Sequence, residues 1–223
     1  MARKQSISEV NRTHFDEEAG GYDDSIFIKA RHYQELHETV LALMALSYAD
    51  GTSIMELGPG TGNLTARILE RFSSARLDGF DVSEKMLQQA REKLRPYGDR
   101  VRLYQRDVTT DLPNGQYQVI VTSNTIHHLS PRERPRLFYR LYPLLNPGGI
   151  VIIADRFEPE TEALSKMYEE LRRRDFEAQS FDMKEYEEEM GHHHHVGSST
   201  TRYTRYIRWM RKAGFVNVDC VWK

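Results

Sequence analysis

Three glycines at alternate positions, Gly58, Gly60 and Gly62, stand where the apolar run ending at Leu57 gives way to Asn63. Glycine tolerates positive φ and carries no Cβ, so a loop of this kind turns sharply and lets a ligand approach the backbone. The dinucleotide pattern Gly-x-Gly-x-x-Gly is not met, because its third glycine would fall at position 63, which is Asn63. A pyrophosphate would want free N–H donors and no nearby carboxylate, whereas Pro59 removes a donor and Glu56 adds negative charge. A ligand with a cationic amino group fits better. Asp81, 19 residues beyond Gly62, ends the next apolar run and is placed to accept both hydroxyls of a ribose. Asp107 follows the third run, where a carboxylate can accept from the exocyclic amine of an adenine. The three acidic positions together describe adenosine joined to a cationic amino-acid tail.

Such residues need a rigid frame. Short apolar runs at Ser53–Leu57, Arg76–Phe80, Val101–Tyr104, Tyr117–Ser123 and Gly149–Ala154 alternate with amphipathic stretches near Asn63–Phe72, Glu84–Leu94 and Pro131–Leu145. Ser83 is an N-cap residue, and Asn146-Pro147-Gly148-Gly149 breaks a helix before a strand. Strands alternating with helices build βαβ units, so the expected fold is α/β: a Rossmann-like, doubly wound, mostly parallel sheet with helices on both faces. Before it, residues 1–29 are polar and read as an arm. Leu36, Val40, Leu43 and Leu46 then mark a helix over about Ala30–Tyr48 that opens a core spanning 30–155. Residues 156–199 read as a helical lid insertion, because an excursion of that length in a compact domain covers a substrate more often than it idles. A last helix, about Thr200–Ala213, and a strand over Phe215–Trp222 complete one domain, 1–223.

Met55-Glu56-Leu57-Gly58-Pro59-Gly60-Thr61-Gly62 resembles motif I of the class I S-adenosylmethionine-dependent methyltransferases. Gly79-Phe80-Asp81-Val82-Ser83-Glu84-Lys85-Met86-Leu87 resembles their second motif, and Asp107-Val108 their third. Val119–Leu129 is similar to the fourth, and Leu145-Asn146-Pro147-Gly148-Gly149 to the turn before the fifth strand. The resemblance points to the small-molecule branch. It implies S-adenosyl-L-methionine as cofactor, with Gly58, Gly60 and Gly62 as the floor under its methionine and ribose parts. Glu56 would lie near the ammonium, Asp81 on the ribose, and Val82 or Met86 against the adenine. Asp107 would take the adenine amine, the backbone of Val108 a ring nitrogen, and Asn124 the sulfonium end; Tyr33 is where some relatives meet the cofactor carboxylate. Phe15–Asp23 resembles the mobile N-terminal segment of small-molecule members. The same fold also carries carboxylated-cofactor synthases, cyclases and catalytically silent cofactor-binding proteins, which stand as alternatives. The family's reversed last strand has no counterpart before Lys223: either it is absent or the sequence is a shortened one, and if it is absent a sheet edge is left for the arm or a partner subunit, as in a homodimer, to cover.

His127 and His128 follow the fourth run, where a methyl acceptor would dock, and an imidazole there suits proton removal. The bland alternative is that the pair shapes the pocket. His192–His195 invite a metal, yet adjacent residues of an extended chain face opposite ways, so a solvated loop is the reading and no metal site is assigned. Arg202, Arg205, Arg208 and Arg211 alternate with Tyr203, Tyr206 and Trp209, a pattern also met on nucleic-acid surfaces. Tyr203, Tyr206, Ile207 and Met210 nevertheless share one helical stripe, which assigns them to packing and the arginines to solvent. An RNA methyltransferase is therefore disfavoured. A net charge of -2 gives no global pull towards nucleic acid, and one cysteine, Cys220, excludes a disulfide framework. The apolar runs fall short of the roughly 20 residues of a membrane span. A cytoplasmic enzyme acting on a small organic acceptor is the expectation, with O-, N- or C-methylation open.

Overall fold

The computed structural model describes residues 6–29, 32–178, 184 and 200–222. Five strands form one sheet: β1 (Ser53–Leu57), β2 (Arg76–Asp81), β3 (Val101–Gln105), β4 (Tyr117–Ser123) and β5 (Leu145–Ala154). Their order is β3-β2-β1-β4-β5, and every pairing is parallel. The chain reverses its direction of winding between β1 and β4, which is where ligands of open α/β sheets bind.

Alternation along the strands divides the core in two. Ile54, Leu77, Val119, Val121 and Ile152 face the helices α3 (Tyr33–Ala45), α4 (Asn63–Arg71) and α5 (Glu84–Leu94), burying Val40, Met44, Ile68, Leu69 and Ala90. Met55, Leu57, Phe80 and Ile120 face the other way, onto Leu137, Phe138 and Leu141 of α6 (Glu133–Leu141) and Tyr206 and Met210 of the last helix. That helix, α8 (Tyr203–Ala213), keeps Arg202, Arg205, Arg208 and Arg211 in solvent, as its stripe requires. The preceding α7 (Glu162–Ala178) exposes Met167 and Leu171.

Within the N-terminal arm the chain forms two helices, α1 (Ile7–Glu18) and α2 (Tyr22–Lys29). Ser6 and Glu9 close a capping box, each side chain accepting from the other residue's backbone N–H, and this starts α1. One expectation needs correction: Phe215–Trp222 joins no strand. Asn217 takes φ 53 and breaks the extended run, and Val216 and Val221 are 80% and 64% exposed. Among the described residues nothing pairs with the outer edge of β5. The N-terminal helices dock over the strand ends instead. His192–His195 and most of the 156–199 insertion beyond α7 lie outside the described residues.

Candidate active site

A cavity, partly open to solvent, lies at the C-terminal ends of β1, β2 and β4. Its walls include Tyr33, Glu56, Gly58, Gly60, Asp81, Val82, Met86, Asp107, Val108, Asn124 and His128.

The floor is set by backbone. Gly58 has φ +65 and donates its N–H to Phe80 O at 2.8 Å, stitching the loop to β2. A Cβ on Gly58 would come within 2.3 Å of Thr125 Oγ1, whereas one on Gly60 (φ +56) would project into open space. Gly60 is thus where a ligand can rest on bare backbone. Gly62 is not in the cavity wall. Its missing Cβ lets α4 approach Leu94 and Ala90 of α5, which a Cβ would meet at 3.1 and 3.3 Å.

The carboxylates end three neighbouring strands. Glu56, 1% exposed, accepts from Thr65 Oγ1 at 2.6 Å, and burial raises its pKa from 4.5 to about 7. Asp81 accepts from Gly60 N–H at 3.0 Å and from Ser83 N–H at 2.9 Å; burial raises its pKa and these donors oppose the rise. Asp107 turns one oxygen onto Thr109 N–H at 2.8 Å and the Thr109 hydroxyl at 2.6 Å. Phe80, Val82, Met86 and Val108 supply the apolar surface between them. Burial raises the pKa of Tyr33 and of Tyr22, a wall residue that sequence reasoning missed.

The turn after β4 makes the opposite wall. Asn124 sits in the left-handed region at φ 50, and its buried Nδ2 has no hydrogen-bond partner. That donor is available to a ligand in the cavity. The two histidines part company. His128 lines the cavity, edge-on to Phe15 at 4.9 Å. His127 lies behind it, ring centroids 3.9 Å apart, with Nδ1 2.5 Å from Asp155 Oδ1 and its N–H on Asp155 Oδ2 at 3.0 Å. The fully buried Arg134 clamps this turn from α6, donating to the carbonyls of His127 and Leu129 and to Thr201 Oγ1. His127 therefore supports the wall that His128 presents.

α1 and α2 roof the cavity. Asn11 Nδ2 donates to His128 O at 2.9 Å, and Asp16 accepts from Ser83 Oγ at 2.6 Å. Asp23 gathers Thr61 Oγ1 (2.6 Å), Asn63 Nδ2 (2.9 Å) and Lys93 Nζ (2.6 Å). Burial alone would raise the pKa of Asp23, but those three donors outweigh it and hold it below the usual value. Asn11, Phe15, Asp23 and Glu133 were absent from the sequence-level site. The signals were two boxes of the form Ser-x-x-Glu, Ser6/Glu9 and Ser130/Glu133, each opening a helix beside the cavity.

Residues 54–149 match the model of a methyltransferase domain. An uncharacterized methyltransferase of Geobacillus sp. (strain WCH70) is 32% identical over 166 residues, covering 73% of this chain and 75% of that protein. A carboxy-S-adenosyl-L-methionine synthase of Wolinella succinogenes is 33% identical over 154 residues, 67% of this chain and 64% of the relative. Among solved structures, a Haemonchus contortus phosphoethanolamine N-methyltransferase 2 superposes with a TM-score of 0.68 at 19% identity, covering 96% of this chain and 46% of the other. Among the described residues, no helix is long and apolar enough to cross a membrane. Matching sequence, a five-stranded parallel sheet and a glycine-floored cavity at its switch point agree: this chain belongs to the S-adenosylmethionine-dependent methyltransferase family.

Proposed function

We propose that this protein moves a methyl group from S-adenosylmethionine to a small organic acceptor held beneath α1. The observation carrying this reading is the row of carboxylates Glu56, Asp81 and Asp107 on successive strand ends around one cavity. Glu56 is buried with one hydroxyl partner and holds its proton to about pH 7, so it suits a cationic ammonium that would ionise it. Asp81, steadied by two backbone N–H groups, keeps lone pairs for a ribose. Asp107 keeps one oxygen for an adenine amine, with Val82, Met86 and Val108 against the ring.

When bound, the cofactor would supply a sulfonium methyl for an acceptor lone pair to attack, the C–S electron pair leaving with sulfur as a neutral thioether. The chain's part is position and proton transfer. Such positioning is worth up to effective molarities of about 10⁵–10⁸ M. Asn124 fixes the reacting end through its orphaned donor. His128, on the cavity wall, takes the proton the acceptor loses, while His127 and Asp155 hold that wall in place. Calorimetric titration with S-adenosylhomocysteine tests the pocket. Micromolar binding, with none of NAD, is the expected result; failure to bind removes the reading.

The relative named as a carboxy-S-adenosyl-L-methionine synthase favours a second reading, synthesis of a carboxylated cofactor. Mass analysis of the cofactor after turnover separates the two. A second copy covering the outer edge of β5 belongs to the first reading, and a monomeric mass by light scattering, with that edge bare, would remove it.

A further inference from the structure

We infer that the methyl acceptor is an amine, carried in as a cation and seated between Asn11 of α1 and Glu133 of α6. This rests on the methyltransferase reading and names its substrate class.

Charge is the first argument. The cavity wall carries four carboxylates, Glu56, Asp81, Asp107 and Glu133, against one guanidinium, Arg106, among the described residues. Arg106 is already engaged: it lies 5.7 Å over the Tyr104 ring and 3.5 Å from Asp111. The cofactor accounts for the first three carboxylates. Glu133 has no part in holding it. An anionic acceptor would enter a field dominated by its own sign, opposed by Arg106 and by Arg156 near Tyr22, whereas a protonated amine gains from that field.

The second argument is an unpaired atom. Asn11 is 6% exposed and lines the cavity, and its Nδ2 donates to His128 O at 2.9 Å. A carbonyl only accepts, so this bond fixes which way round the amide sits. Asn11 Oδ1 is left buried without a partner. Only an incoming N–H or O–H donor satisfies it.

Glu133 has a structural duty as well. Its Oε2 accepts from Ser130 N–H at 3.0 Å, and its own N–H donates to Ser130 Oγ at 3.3 Å, a capping box. That uses one carboxylate oxygen and leaves Oε1 for the acceptor. Around these two acceptors stand Phe15, Ile7 and Leu129, so the site suits an ammonium on an apolar body. Chemistry then needs one proton removed to free the nitrogen lone pair, and His128 is in the same wall.

The test uses matched pairs that differ in charge: tyramine against 4-hydroxyphenylacetate, and ethanolamine against glycolate. Each is titrated into the full chain already saturated with S-adenosylhomocysteine. At least one amine should bind at least tenfold tighter than its acid. Glu133→Gln should abolish that preference, because Gln still closes the capping box but carries no charge; its unfolding midpoint verifies the fold. The inference is overturned if neither amine binds at least tenfold tighter than its acid, if neither amine binds at millimolar concentration, or if Glu133→Gln keeps the preference. Failure of S-adenosylhomocysteine to bind in the first injection overturns the methyltransferase reading instead, so the two failures are distinguishable.

Discussion

The backbone N–H of Gly60 donates to Oδ2 of Asp81 across 3.0 Å, tying the loop after β1 to the carboxylate that ends β2. One bond thereby sets both the floor and the side of the cofactor cavity. Asp81→Ala should weaken S-adenosylhomocysteine binding at least tenfold, about 1.4 kcal/mol, by calorimetry. Asp81→Asn keeps one acceptor oxygen for Gly60 or Ser83 and should fall between wild type and Ala.

Glu56 gives a pH dependence with a definite sign. In the folded protein it holds its proton to about pH 7, whereas its ordinary value is 4.5. The folded state therefore binds more protons across that window, and stability falls as pH rises through it, by about 3 kcal/mol for this group. Urea denaturation from pH 4.5 to 8 should show a slope that Glu56→Gln removes. Binding runs the other way. An ammonium favours the carboxylate, so S-adenosylhomocysteine should release protons near pH 7 and bind more tightly as pH rises towards 7. Calorimetry in buffers of different ionisation enthalpy measures that release, and Glu56→Gln should cancel it.

The glycines separate folding from binding. Gly58→Ala forces a Cβ into Thr125 and should cost more than the roughly 1–2 kcal/mol of left-handed strain alone. Thr125→Ala in the same chain should restore part of the loss. Gly60→Ala meets no protein atom and should pay only the strain, yet lose cofactor binding because its methyl group occupies the floor. Denaturation midpoints and titrations on the same samples tell the two apart.

Asp155→Ala removes the partner of His127 Nδ1 and an acceptor for two backbone N–H groups, all in a buried setting. A loss of about 3–5 kcal/mol in folding stability is expected. His127→Ala should destabilise less and still bind S-adenosylhomocysteine. His128→Ala should leave stability and cofactor affinity near wild type while reducing turnover of any accepted amine by more than about 100-fold.

Asp23→Ala loosens α2 from Thr61, Asn63 and Lys93. Stopped-flow fluorescence should show S-adenosylhomocysteine leaving several-fold faster, with a smaller change in global stability. An unchanged dissociation rate would mean that the roof does not gate the cavity.

The cofactor end of the site was legible because its signals are local. Glu56 and Gly60 are four residues apart on one strand and loop, and Asp81 ends the next strand, so spacing alone places them. The acceptor end depends on docking at long range: Asn11 meets His128 across 117 residues, and no periodicity reports that. Polar composition made α1 read as an arm, although the Ser6/Glu9 box was visible. Gly62 shared the spacing of its neighbours, and only packing reveals that it serves α5. Phe215–Trp222 alternates like a strand, but alternation needs an edge to pair with, and Asn217 turns the chain away.

A roof made from the first helices also fixes an order of events as the chain is synthesised. α1 and α2 leave the ribosome before the sheet, yet their anchors are Thr61, Ser83, Lys93 and His128, the last made more than a hundred residues later. Until that turn leaves the ribosome, α1 has no complete surface to fold against, and short isolated helices are marginal in water. These two helices thus settle after the elements that follow them. The sheet assembles around an open groove, and closing the groove completes the fold.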